Sequence, residues 1–189
     1  MSTKTDRHAH GRASGTGGGP RPPLVLGIGN LLLGDDAVGL RMLEELQQEA
    51  DDWAPGVEFV DGGTQGIALL GVMSDRPWMV LLDAVSHVGA PGTVYVMNGA
   101  EALTLHFLTA GTAHEGGAGS LLALATLTGD LSPNVVVVGV EPEIVRTGIG
   151  LSPAVQGALA EAIAAARREI SRMTAGSPTP SAPEPAGVG

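Results

Sequence analysis

Two adjacent carboxylates, Asp35 and Asp36, stand in the glycine-rich run G-I-G-N-L-L-L-G-D-D-A-V-G at 27–39. Further along, Asp83 closes the apolar run Met79-Val80-Leu81-Leu82, and His114 sits in A-G-T-A-H-E-G-G at 110–117. Carboxylates and an imidazole make an N/O donor set suited to a divalent transition ion such as Ni²⁺ or Zn²⁺. Each residue also has a plainer reading. An Asp ahead of a helix is a favoured N-cap, and the positive end of the helix dipole suits its ionised form. One cap needs one Asp, so the pair leaves a second carboxylate for another partner. Asp83 also fits a strand-terminating residue that bonds a neighbouring loop, and His114 a solvated loop histidine.

Such groups act together only if the elements around them share an edge. Leu24-Val25-Leu26 reads as a strand buried on both faces. Val38, Met42, Leu43, Leu46 and Ala50 then follow at helical spacing, which sets both aspartates around a helix N-terminus. Val57-Glu58-Phe59-Val60 is a second strand, closed by D-G-G-T at 61–64, and a helix over 65–74 carries Ile67, Leu70 and Met73 on one stripe. The third strand is 79–82, ending at Asp83. A fourth, 93–97, begins so soon after Asp83 that the pair should be antiparallel and lie at an edge, because a parallel crossover needs a dozen residues or more. Helices over 100–108 and 120–127 precede Val135-Val136-Val137-Val138-Gly139-Val140, a central, β-branched strand. Ser152 and Pro153 open the last helix as N-cap and N1, with Val155, Leu159, Ile163, Ala166, Ile170 and Met173 as its stripe. The expected fold is α/β, a three-layer sandwich with a mostly parallel five-stranded sheet and one antiparallel strand. In such sheets the carboxyl ends of the strands collect the site, where Asp35, Asp36, Asp83 and His114 all fall. His87, in the connection after Asp83, and His106, inside the 100–108 helix, have weaker claims.

Composition narrows the field. Residues 1–22 and 175–189 are Gly/Pro-rich and aperiodic, which predicts disordered tails around one domain at 23–174. Between residues 24 and 174 there are six arginines, no lysine and eighteen carboxylates. So acidic a core is a poor match for nucleic acid or an anionic membrane. No signal peptide or membrane span is visible, so a cytoplasmic location is expected. Cysteine is absent, which excludes disulfides, thiolate metal sites and cysteine nucleophiles.

Familiar motifs fail in turn. G-x-G-x-x-G has Leu32 at its third glycine position, and two acids would face the pyrophosphate. There is no G-x-S-x-G elbow and no H-E-x-x-H helix. A pepsin-type dyad needs two carboxylates sharing a proton, whereas neighbours in sequence such as Asp35 and Asp36 tend to point apart.

The ordered set G-I-G-N-L-L-L-G-D-D-A-V-G at 27–39, D-G-G-T-Q-G at 61–66, L-L-D-A-V at 81–85, A-P-G-T-V at 90–94, a loop histidine at 114, G-V-E-P-E at 139–143 and I-G-L-S-P at 149–153 resembles the hydrogenase maturation endopeptidases. The resemblance covers about residues 24–170. It implies a protease that removes the C-terminal extension of a nickel-iron hydrogenase large-subunit precursor after nickel insertion. It also implies a catalytic and nickel-recognising triad of Asp36, Asp83 and His114, and a substrate loop of Asp61, Gly62 and Gly63. The nickel would arrive on the substrate rather than be held tightly by the free protease, which would act as a monomer. The competing reading is a non-cleaving nickel-checkpoint chaperone of the same precursor.

Overall fold

Runs of aliphatic and β-branched residues with large side chains on both faces must be covered twice, and the computed structural model does this with helices on each side of one sheet. It describes residues 21–48, 50–86, 89–109, 117–129 and 131–176. The strands are β1 (Leu24–Ile28), β2 (Glu58–Gly63), β3 (Met79–Ala84), β4 (Val94–Asn98) and β5 (Val135–Val140). The helices are α1 (Val38–Gln47), α2 (Ala50–Trp53), α3 (Leu70–Met73), α4 (Gly99–Thr109), α5 (Ala118–Thr128) and α6 (Pro153–Thr174), with 3₁₀ turns at Gly34–Ala37 and Gly66–Leu69.

The sheet order is β2-β1-β3-β5-β4, and every pairing is parallel except β4 with β5. Strand alternation separates two cores. Val25, Val80, Leu82, Val136 and Val138 pack with Met42 and Leu46 of α1 and with Val155, Ala162 and Ile170 of α6. Leu24, Leu26, Met79, Leu81, Val135 and Val137 pack on the other face with Met73 of α3, Ala102 of α4 and Leu121, Leu122 and Ala125 of α5. This is the expected three-layer α/β sandwich.

Some local expectations need correction. β4 is an antiparallel edge strand, but its partner is β5 rather than β3. The chain leaving β3 crosses the end of β5, where Val85 N donates to Val140 O at 3.0 Å, Gly92 N to Glu141 O at 2.8 Å and Glu141 N to Thr93 O at 2.9 Å. Stepping over one strand spans only about 10 Å, two inter-strand spacings, so a short connection does not force adjacency. The 65–74 helix divides into a 3₁₀ turn, which buries Leu69 and leaves Ile67 exposed, and α3, which buries Met73. Along α6 the stripe is tighter than expected. Ala158, Ala162 and Ala165 are buried, while Leu159 and Ile163 are only partly so, because small residues let the helix lie close to the sheet. Ser152 caps α6 as expected, accepting from Val155 N at 3.3 Å.

Candidate active site

Neither aspartate of the 27–39 run caps the helix that follows; they sit on the 3₁₀ turn before α1, and no side-chain cap bond forms there. Two glycines let this turn approach the sheet. Gly29, at φ +132°, has the Asp36 carbonyl where a Cβ would stand, and a Cβ at Gly39 would run into the carbonyls of Ile28 and Leu82. The first turn of α1 therefore rests directly on the ends of β1 and β3.

The two carboxylates then part company. Asp35 is 0% exposed. Its Oδ2 accepts from Glu143 N and Ile144 N, both at 2.8 Å, and its Oδ1 from Ser152 N at 2.6 Å. Burial pulls its pKa upward, but these bonds and the Ser152 hydroxyl outweigh that and hold it below the ordinary carboxylate value. Asp35 thus clamps the segment after β5 to the segment after β1. Backbone bonds complete the clamp, with Gly34 N to Gly148 O at 3.0 Å and Gly148 N to Leu32 O at 2.9 Å.

Asp36, half-buried, lines a cavity of about 200 Å³ at the carboxyl edge of the sheet, together with Asp83, Gly63, Thr64, Asn30 and His106. Asp83 is 5% exposed. Its Oδ1 accepts from Ala84 N at 2.9 Å and its Oδ2 from Ala118 N at 2.7 Å, the first amide of α5. Burial pushes the Asp83 carboxyl up to about 7, against the Ala118 bond and with help from the negative charge of Asp36. A Cβ at Gly117 would lie 2.9 Å from Asp83 Oδ2, so glycine at the head of α5 makes room for the carboxylate.

The other expected residues are placed as follows. Gly63 lines the cavity, Gly62 is buried against Leu26 and Leu69, and Asp61 is exposed beside Gly63 without lining it. His114 and His87 lie outside the described residues, as does most of both tails. Among the described residues no three metal-ligating side chains gather into one cluster. The oxygen donors of Asp36 and Asp83 suit a divalent cation, and an added imidazole would turn that preference toward nickel or zinc. His106, given a weaker claim from sequence, faces the same cavity. Its place is set by the glycine at 119, where a Cβ would stand 2.7 Å from His106 Cβ.

Fold and site together define a mostly parallel α/β protein with an acidic cavity at the carboxyl edge of its sheet and helices on both faces. The hydrogenase maturation protease family model matches residues 40–169, and the chain belongs to that family of peptidases. The matched span takes in Asp61, Asp83 and His114 and begins just after Asp36. The hydrogenase 2 maturation protease of Escherichia coli (strain K12) is 39% identical over 143 residues, covering 74% of this chain and 85% of that protein. The hydrogenase expression/formation protein HupM of Azotobacter chroococcum is 37% identical, covering 76% and 68%. The solved hydrogenase maturating endopeptidase HybD from E. coli superposes with a TM-score of 0.65 at 36% identity, covering 78% of this chain and 93% of that one. Among the described residues no helix is long and apolar enough to cross a membrane.

Proposed function

We propose that this peptidase removes the C-terminal extension of a nickel-iron hydrogenase large-subunit precursor, in the cytoplasm and as a monomer, and that it recognises nickel already carried by that precursor. Asp36, Asp83 and His114 are the ligands offered to the ion. The observation that carries this reading is the shared cavity of Asp36 and Asp83, with the charge of one helping to hold a proton on the other. A buried carboxyl at about 7 is poised to exchange its proton for a cation near neutral pH.

Cleavage needs the oxygen of water to bond to the peptide carbonyl carbon, the C–N bond to break and the leaving amine to gain a proton. With the precursor's nickel drawing electrons from that carbonyl, a carboxylate of the site takes the proton of the attacking water and passes it to the amine. The fixed donors around Asp83, from Ala84 and Ala118, keep its orientation constant through the step. Asp61, Gly62 and Gly63 form the substrate loop, with Gly63 at the cavity wall.

A protein substrate also needs a surface. Leu32, at 60%, and Ile149, at 85%, are strongly exposed apolar residues on the two segments that Asp35 clamps together, and the first of these segments lines the cavity through Asn30, Leu33 and Asp36. Incubating the purified protein with nickel-loaded precursor and weighing the products tests the proposal. Loss of one C-terminal peptide is expected, and an unchanged precursor mass contradicts it.

A further inference from the structure

Beyond its two carboxylates the cavity continues along one face of the sheet. Asp83 and Leu81 are two residues apart on β3 and so share a face. Leu81 pairs with Val137 of β5, and Val137 with Met97 of β4. Met97 and Val137 both line the cavity, as do Ala102, Leu105 and His106 of α4. An arm therefore runs from Asp83 toward the β4 edge, about 10 Å by two strand spacings, floored by the sheet and roofed by α4. Met97, Ala102, Leu105 and Val137 give it apolar walls, while His106 and Thr109 of α4 and Ser120 of α5 are polar lining residues, and the His106 side chain rests against Gly119 in the first turn of α5. The same turn presents Ala118 N to Asp83, so α5 sets the positions of the carboxylate and of the imidazole at once.

An ion alone does not account for this arm. A water molecule takes about 30 Å³, so a cavity of about 200 Å³ has room for far more than one cation. Apolar walls beside a peptidase site favour an apolar side chain, since burying it removes its surface from water while a charged one would lose its hydration.

We propose that the arm walled by Met97, Ala102, Leu105 and Val137, with His106 at its edge, is the subsite for an aliphatic side chain flanking the peptide bond that is cut. The inference rests on the protease reading and adds to it a residue preference and the residues that set it. Ala102 and Leu105 adjust the room in the arm from a helix whose other contacts can stay in place.

The test uses full-length protein and nickel-loaded precursors carrying Ala, Val, Leu, Phe or Asp at each of the two positions flanking the cut, with kcat/KM read by mass. For one of the two positions, wild type should prefer Val or Leu over Ala by about tenfold or more and reject Asp, since a single methylene in an apolar pocket changes rates on that scale. Ala102→Leu, which fills the arm, should move the preference to Ala. Leu105→Ala, which widens it, should admit Phe, and serves if the filled variant does not fold. A wild type indifferent to both positions, or variants that slow every precursor by one common factor, would overturn the subsite while leaving the protease reading intact. A wild type that cuts none of the panel fails the protease reading, and the subsite with it.

Discussion

Asp35 and Asp83 are both buried carboxylates whose pKa values move in opposite directions, because of what each one faces. Asp35 meets three backbone N–H groups and the Ser152 hydroxyl, whereas Asp83 meets two N–H groups and the charge of Asp36. Asp35, lowered in the folded state, contributes stability that is complete at neutral pH and is lost as pH falls through its folded pKa. Asp35→Ala should cost about 3–5 kcal/mol in denaturant melts, since buried donors lose a charged acceptor. Asp83 has the reverse sign. Its folded pKa is raised, so stability falls as pH rises from about 4, the unfolded value, to about 7 and is flat beyond. Asp83→Asn should therefore raise stability at pH 8 by about 2 kcal/mol, within an upper bound of about 4 kcal/mol set by the shift. The same variant should lose nickel-dependent recognition, an exchange of stability against function. In wild type, KM for loaded precursor should rise by up to about tenfold per unit as pH drops below 7, because the ion must displace one proton. A KM constant from pH 5 to 8 would contradict that role for Asp83.

At the scale of elements, α1 and α5 aim the site, and glycines decide how closely they can do so. Gly39→Ala should lift the first turn of α1 from the ends of β1 and β3, lowering stability by about 2–3 kcal/mol and activity with it. A melt and activity equal to wild type would show that the close approach is unimportant. Much of this layer was legible in sequence. The valine run of β5 reads as central because β-branched residues with no polar alternation need cover on both faces. Ser152-Pro153 reads as a helix start because cap and N1 chemistry are local. Adjacency was not legible for β4, since a nine-residue link fits either a neighbouring strand or a step across one. The division of labour between Asp35 and Asp36 was hidden as well. The partners of Asp35 lie 108 to 117 residues away, and no local pattern encodes them. His106 could be named as a weaker candidate, but its place at the cavity could not be read, since it depends on contact between α4 and α5.

For the whole molecule, chemistry gathers at the carboxyl end of the sheet beside the Asp35 clamp, and a second anchor closes the amino end. Arg76, buried beyond the amino ends of the strands, donates to Val72 O at 2.7 Å and Pro22 O at 2.9 Å and pairs with Glu58. At the carboxyl end, the exposed Leu32 and Ile149 stand on the two segments that Asp35 clamps together. The double variant Leu32→Asp, Ile149→Asp should raise KM for the precursor about tenfold with kcat little changed, because it removes apolar contact and puts in its place two charges that must be desolvated on docking. An unchanged KM would remove this surface from the docking site. The central claim is that a carboxylate pair, with His114, reads nickel on the substrate before the peptide is cut. Its most direct test sets nickel-loaded against nickel-free precursor with wild type, Asp36→Asn and His114→Ala, following the intact mass of the large subunit. Cleavage of loaded precursor by wild type alone is the predicted result; equal cleavage of nickel-free precursor, or full activity in either variant, would contradict the account.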